Sequence, residues 1–201
     1  MTPPTLNAPA ADRSPVDEAI VVSADALFTA EGVTAVDLDR VAADAHVTTA
    51  QLHVAYPTKR KLVVAAFRYR HQDWMGGLRT AESALQDPRD QILTVFSYLE
   101  TCFADASFRG CAFINGYGEL GRLDSVVRDL AHAHLREIEQ HVAVLCDAAD
   151  LPAHLASALT LLVQGAQVEA AIHGTVQPAR SARTAAAMLI SVYDTSADAP
   201  F

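Results

Sequence analysis

Two histidines and a glutamate in the second half of the chain are spaced as if to hold a metal ion. His134, Glu137 and His141 stand three and four residues apart, so a helix would carry all three on one face. Imidazole and carboxylate groups are both zinc ligands. The alternative is a stripe of solvated or dimer-facing side chains. We favour the stripe, and we therefore predict no metal and no cofactor.

Cys111 is the one cysteine with a suggestive context, because it follows Arg109 and Gly110. A cationic neighbour near a helix start can make a thiol reactive enough to sense oxidants. A small buried thiol is the more usual role of such a residue, and we favour it here. Cys102 and Cys146 show no paired spacing with Cys111, which is typical of reduced thiols in a cytoplasm.

The segment from Gly116 to Gly121 matches the pattern G-x-G-x-x-G. A dinucleotide site would need this pattern between a strand and a helix of a parallel sheet, and no second strand is evident in the sequence. The chain also has no G-x-S-x-G, no H-E-x-x-H and no P-loop. We therefore predict that it is not an enzyme.

The run from Val41 to Leu52 has the features of a helix-turn-helix. Such a motif needs a small residue where two helices touch, a tight turn, and apolar anchors on both inner faces. Ala42 is the small residue and His46 stands at the turn. The predicted anchors are Val41, Ala45, Val47 and Leu52. This arrangement is typical of a DNA-binding module.

The flanking residues carry signals for helix ends. An apolar stripe from Val16 to Phe28 predicts a first helix that stops at Gly32. Asp37 is suited to begin the second helix as its N-cap, and Thr48 with Gln51 forms a capping box for the third. Pro57 then interrupts the chain before Thr58, a further N-cap.

Together these residues resemble the N-terminal domain of the TetR family of transcriptional regulators. About forty residues carry the resemblance, which implies an all-helical homodimer with a variable ligand-binding domain after the DNA-binding helices. His46 replaces the usual turn glycine, at a cost of about 1 kcal/mol if φ is positive there. His53 and Ala55 also depart from the family pattern, at positions that commonly contact DNA. The matching residues are Leu27, Phe28, Glu31, Gly32, Leu38, Val41, Ala42, Ala45, Val47, Thr48, Leu52, Tyr56, Thr58, Lys59 and Leu62.

Charge is unevenly distributed along the chain. The net charge is −9, whereas a DNA-binding protein should present a basic surface to the phosphates. Acidic residues occur from Asp12 to Asp44, but none occurs between Val47 and Arg70, where five basic residues lie. Lys59 and Arg60 could alternatively be a solvated charge run. The DNA-binding residues we predict are Thr48, Thr49, Gln51, His53, Val54, Lys59 and Arg60.

The 201 residues suit a small module followed by a larger one. We predict a disordered tail (1–14), a helix-turn-helix domain (15–62) and a ligand-binding and dimerisation domain (63–201). About nine helices are expected, among them a sixth from Cys111 to Leu120, with Gly76 and Gly77 bending the fourth. No signal peptide and no apolar run of membrane-spanning length is evident, so we expect a cytoplasmic protein.

The C-terminal region suggests a ligand pocket and a dimer interface. Aromatic side chains with a few polar groups are typical of ligand sites, although they could equally be core. The tentative ligand-binding residues are Trp74, Phe96, Phe103, Phe113, Tyr117 and Gln167. The last two helices are rich in alanine, which predicts either a tight intramolecular pair or a two-fold interface centred near Ala186.

These features predict a ligand-responsive transcriptional regulator. It would be a repressor that a small-molecule inducer releases from its DNA operator. The alternative is a relative that no longer binds DNA and acts as a small-molecule or protein-binding module. The acidic first seventy residues, His46 and Ala55 favour that alternative.

Overall fold

The computed structural model describes Leu6 and residues 13–194. These residues form nine α-helices, one π-helical turn and no strand, so the predicted all-α fold is confirmed. Apart from Leu6, Arg13 and Ser14, the predicted tail lies outside the described residues. The helices are α1 (Pro15–Glu31), α2 (Leu38–Asp44), α3 (Thr49–Ala55), α4 (Lys59–Glu82), α5 (Pro88–Ala104), α6 (Ala112–Gly116), α7 (Ser125–Ala148), α8 (His154–His173) and α9 (Gln177–Asp194); the π-helical turn spans Tyr117–Gly121.

The local signals for helix ends are confirmed. The Asp37 side chain accepts a hydrogen bond of 2.7 Å from the Arg40 N–H and so caps α2. Thr48 and Gln51 form both bonds of a capping box at the start of α3. Gly32 ends α1 with φ at 89°, a backbone conformation that L side chains rarely adopt.

His46 adopts the left-handed conformation that the motif demands of its turn. Its φ is 54°, and its N–H donates to the Ala43 carbonyl at 3.3 Å. The next residue, Val47, donates to the Ala42 carbonyl at 3.0 Å. The turn therefore closes without glycine, and the histidine bears the steric cost.

The chain divides into two compact units. The first contains the described residues up to Met75 together with Ala112–His134, and the second contains Gly76–Cys111 together with the described residues from Leu135 onward. The predicted domain boundary after residue 62 stays a prediction. Buried in the first unit are Ile20, Val41, Leu52, Leu62, Phe113 and Leu130; buried in the second are Leu78, Ile92, Phe96, Leu99, Ile138 and Leu159.

Two helices differ from the sequence prediction. The predicted sixth helix consists of the short α6 followed by the π-helical turn, in which the Tyr117 ring lies against Gly121. Helix α4 runs unbroken through Gly76 and Gly77. Gly77 instead makes room for the Tyr98 hydroxyl, because a Cβ at that position would collide with it.

Helix α8 alone, among the described residues, is long and apolar enough to cross a membrane. In the second unit it packs against α5 and α9. Its inward face is buried there and includes Leu159, Val163 and Ala166. Packing between helices thus accounts for the buried part of its apolar composition.

Candidate functional site

Helices α2 and α3 pack through the predicted anchors. Val41, Ala42 and Leu52 are buried, while Ala45 and Val47 are half-buried at the turn. The Ser23 hydroxyl of α1 donates to Asp44 at 2.8 Å and holds the end of α2 against α1. The first three helices thus form one small packed module.

The outer surface of α3 is open to solvent. Every residue from Thr49 to Ala55 is exposed except Leu52, so the predicted base-reading side chains are accessible. Two of them have local partners. The Gln51 Oε1 accepts from the Thr48 N–H at 2.9 Å, and the Thr49 hydroxyl donates to Asp39 at 3.3 Å. A bidentate contact between Gln51 and adenine would therefore require the capping box to open.

Three of the five basic residues between Val47 and Arg70 contact other groups of the protein. The Lys59 ammonium donates to the Thr34 carbonyl at 3.1 Å, and Arg60 lies 2.7 Å from the Asp124 carboxylate. Arg70 forms a two-pronged pair with Asp25, at 2.9 and 2.6 Å. Burial raises the pKa of Asp25, against the opposing effect of Arg70. Arg70 is thus a structural cation, whereas Lys59 is only half-buried and Arg60 is exposed.

Glu119 binds the loop between α1 and α2. Its carboxylate accepts from the Val33 N–H at 3.1 Å, from the Thr34 N–H at 2.8 Å and from the Thr34 hydroxyl. Burial acts to raise the pKa of Glu119, but the hydrogen bonds from Thr34 and Val33 and the charge of Lys59 outweigh it and lower the pKa. Sequence reasoning missed this contact because its partners are more than eighty residues apart.

A buried histidine pair lies in the first unit. The Nδ1 atoms of His71 and His134 are 2.9 Å apart, so the N–H of one ring donates a hydrogen bond to the other ring. The His134 ring stacks on Phe113 at 3.8 Å, and Trp74 meets its edge. Burial, with a smaller repulsion from His71, lowers the pKa of His134 to about 3. Two predicted ligand-binding aromatics, Trp74 and Phe113, therefore converge on a neutral imidazole.

The other predicted ligand-binding residues have different surroundings. Phe96 and Phe103 lie on the buried face of α5, and Gln167 is buried on α8. The Oε1 atom of Gln167 has no hydrogen-bond partner among the described residues. Tyr117 is 46% exposed. Their roles in ligand binding stay predictions.

The residues of the candidate metal face each have a separate partner. His134 pairs with His71, Glu137 lies 3.7 Å from Arg79, and the His141 Nε2 lies 2.9 Å from Glu82. No group of three potential metal ligands occurs within the part of the chain that the structure describes. The G-x-G-x-x-G segment is helical and begins at the end of α6 rather than after a strand, so it has no dinucleotide-site geometry.

The alanines of α8 and α9 serve mainly the packing within one chain. Ala166, Ala170, Ala179, Ala182 and Ala186 are all buried in the second unit. A partner cannot reach a fully buried side chain, so the predicted centre of the interface at Ala186 is wrong. The exposed apolar side chains of the two helices are instead Leu161, Val168, Ile172, Met188, Leu189 and Val192.

Comparison with known proteins gives a structural answer only. No family model and no curated protein matches the sequence. A TetR-family regulator from Streptomyces coelicolor matches with a TM-score of 0.79, 22% identity and 89% of each chain covered. A TetR regulator from Chloroflexus aurantiacus gives a TM-score of 0.78 and 20% identity, over 88% of this chain and 94% of its own. A protein from Saccharomonospora viridis, described as a transcriptional regulator and solved in complex with choline, matches with a TM-score of 0.71 and 16% identity. The match covers 83% of this chain and 92% of that protein.

These matches define the class of fold. The chain has the fold of the TetR-family transcriptional regulators, and the resemblance predicted from its first sixty residues is confirmed at that level.

Proposed function

We propose that the protein is a homodimeric transcriptional repressor that leaves its DNA operator when a small molecule binds. The observation that carries this proposal is the α1–α3 module, whose inner face is packed and whose third helix presents six exposed residues to solvent. A helix with that placement can enter the major groove of DNA. The shared fold with TetR-family regulators supports the same reading.

The proposed DNA contacts fall into two groups. Thr48, Thr49, Gln51, His53 and Val54 would face base edges, while Lys59 and Arg60 at the start of α4 would contact phosphates. Phosphate contacts supply affinity without sequence preference, and base contacts supply preference. Lys59→Ala should therefore weaken binding equally on all sequences and lower the salt slope by about 1 per subunit. An unchanged salt slope would show that Lys59 does not contact a phosphate and serves only the contact with Thr34.

The proposed dimer uses the exposed apolar face of α8 and α9. Leu161 is 68% exposed there, and a groove along the two helices has a mostly apolar lining. A contiguous apolar surface of this kind is typical of an interface. A two-fold dimer would present two α3 helices about one DNA turn apart, and two linked half-sites bind far more tightly than one.

The proposed inducer is a small molecule that binds beyond the DNA-binding module. The tentative contacts are Trp74, Phe96, Phe103, Phe113, Tyr117 and Gln167. The structure from Saccharomonospora viridis, in complex with choline, shows that a protein of this fold can hold a small organic molecule. The inducer would displace α4 and change the separation of the two α3 helices, so that the dimer no longer fits both half-sites. We place the protein in the cytoplasm with the DNA.

A second candidate is a protein of the same fold that does not bind DNA. The net charge of −9 and the use of Arg70 and Arg60 in internal ion pairs favour it. Selection of bound duplexes from random or genomic DNA with the purified protein separates the two candidates. Enrichment of a two-fold symmetric sequence supports the repressor, and a footprint upstream of the gene itself would define its target. Failure to enrich any sequence at low salt would favour the second candidate.

A further inference from the structure

The outward surface of α3 consists of small, amide or aliphatic side chains and one histidine, His53. The sequence of α3, Thr49 to Ala55, has neither arginine nor lysine, the side chains that most often read guanine. In their place stands Val54, which is 86% exposed and is one of the two most exposed large apolar side chains among the described residues. A single exposed valine elsewhere would need no explanation. On the helix proposed to enter the major groove, however, an exposed valine indicates which group of the DNA it could contact.

Two polar residues of α3, Gln51 and Thr49, already have partners within the protein, whereas a third, His53, is exposed. The Gln51 Oε1 is occupied by the Thr48 N–H and hydroxyl, both at 2.9 Å, and the Thr49 hydroxyl is bound to Asp39. Ala50 lies four residues before Val54 and shares its face of the helix. Two exposed aliphatic side chains therefore form one ridge on the outside of α3.

The major groove offers one apolar group to such a ridge. That group is the C5-methyl of thymine, which no other unmodified base carries. We propose that Val54 reads thymine through this methyl group, with Ala50 allowing the groove floor to approach the same face. The inference rests on the proposed function and deepens it: the operator half-site must contain a thymine at the position that faces Val54.

The test removes the methyl group from the DNA rather than from the protein. After selection, each thymine of the enriched sequence is replaced in turn by deoxyuridine, which retains base pairing and lacks only the C5-methyl. We expect one thymine per half-site at which the replacement weakens binding about fourfold for each methyl removed, the effect of exposing one such group to water. The other thymines should tolerate the change.

Protein variants then assign the effect to Val54. With Val54→Ala, thymine and deoxyuridine at the sensitive position should bind equally, because the partner of the methyl has been removed. Val144→Ala, at a valine of α7 that is 67% exposed, should retain the full fourfold difference. Val54→Thr keeps one methyl and the β-branched shape, and serves as a second variant with an intermediate difference.

The outcomes separate this inference from the proposed function. Selection of a symmetric operator that tolerates deoxyuridine everywhere would overturn thymine reading and leave the repressor intact. A thymine effect that persists unchanged in Val54→Ala would also overturn it. Failure to select any duplex DNA would reject the proposed function, and the role of Val54 with it.

Discussion

Glu119 joins the π-helical turn to the loop that precedes α2, so its charge should stabilise the first unit. Glu119→Gln retains the shape of the side chain but replaces a carboxylate that accepts three hydrogen bonds. We expect a loss of about 1.5 kcal/mol of unfolding free energy, at the lower end of the range for bonds to a charged acceptor because Thr34 is exposed. Urea unfolding at pH 7 measures it, and Glu18→Gln, at an exposed glutamate of α1, is the control.

The stability that Glu119 contributes should decrease at low pH. The pKa of Glu119 is lower in the folded protein than 4.5, the ordinary value of a glutamate side chain, because hydrogen bonds from Thr34 and Val33 and the charge of Lys59 outweigh burial. The stabilisation is therefore complete above that value and is lost as the pH falls through the lower folded pKa. The difference between the wild type and Glu119→Gln should narrow below about pH 4.5. A constant difference from pH 7 to pH 3 would contradict the carboxylate's role.

His134 predicts a second pH effect, in a different range. Its pKa falls from 6.5 to about 3 on folding, so only the unfolded chain takes up a proton between these values. Stability is therefore lost as the pH falls below 6.5, by about 1 kcal/mol between pH 8 and 5.5 from this residue. His134→Phe, which retains an aromatic ring on Phe113, should lose that part of the dependence. The exposed His132→Ala variant should retain it.

At the scale of the helices, prediction succeeded where the signal is local. Asp37, Thr48 and Gly32 act on backbone groups within four residues, so their identity alone predicts a helix end. The end of α4 at Glu82 is another local feature. The Ser83 hydroxyl, just after the helix, donates to the Thr80 carbonyl at 2.8 Å, a local bond that competes with the helical pattern. Contacts between residues far apart in the sequence, such as Glu119 with Thr34, produce no local sequence pattern and so could not be predicted.

Gln51 of α3 caps its own helix and is also proposed to read a base, and two substitutions can separate these roles. Gln51→Ala should cost about 1–3 kcal/mol on the true operator and relax preference at one position per half-site. It should also lower unfolding stability by about 1 kcal/mol, because the capping box is lost. Gln51→Glu can form the same box and should recover stability without recovering operator binding, since a carboxylate is repelled by DNA. Equal weakening on operator and random DNA would exclude base reading by Gln51.

At the scale of the whole molecule, the alanines of α8 and α9 show why the interface could not be placed from sequence. Small side chains allow close approach of helices both within a chain and between chains, and composition does not distinguish the two. Ala186 is fully buried in the second unit, whereas Met188, two residues later, is 65% exposed. A charge at Ala186 would therefore disrupt the chain's own core, and the assembly must be tested from the exposed face.

Leu161 is the better position for that test. It lies on α8 at the edge of the apolar groove, and a two-fold interface would bury it and its symmetry mate together. Leu161→Glu places two carboxylates in that interface, and burying unpaired charge costs several kcal/mol, enough to dissociate a dimer of ordinary affinity. We expect a folded monomer whose helical circular dichroism matches the wild type and whose operator affinity is poor, because the coupling between half-sites is lost. Val144→Glu should remain dimeric, since Val144 lies on α7 outside the groove. Sedimentation of the wild type as a monomer at micromolar concentration would exclude the dimer, whereas a dimeric Leu161→Glu would exclude only this face.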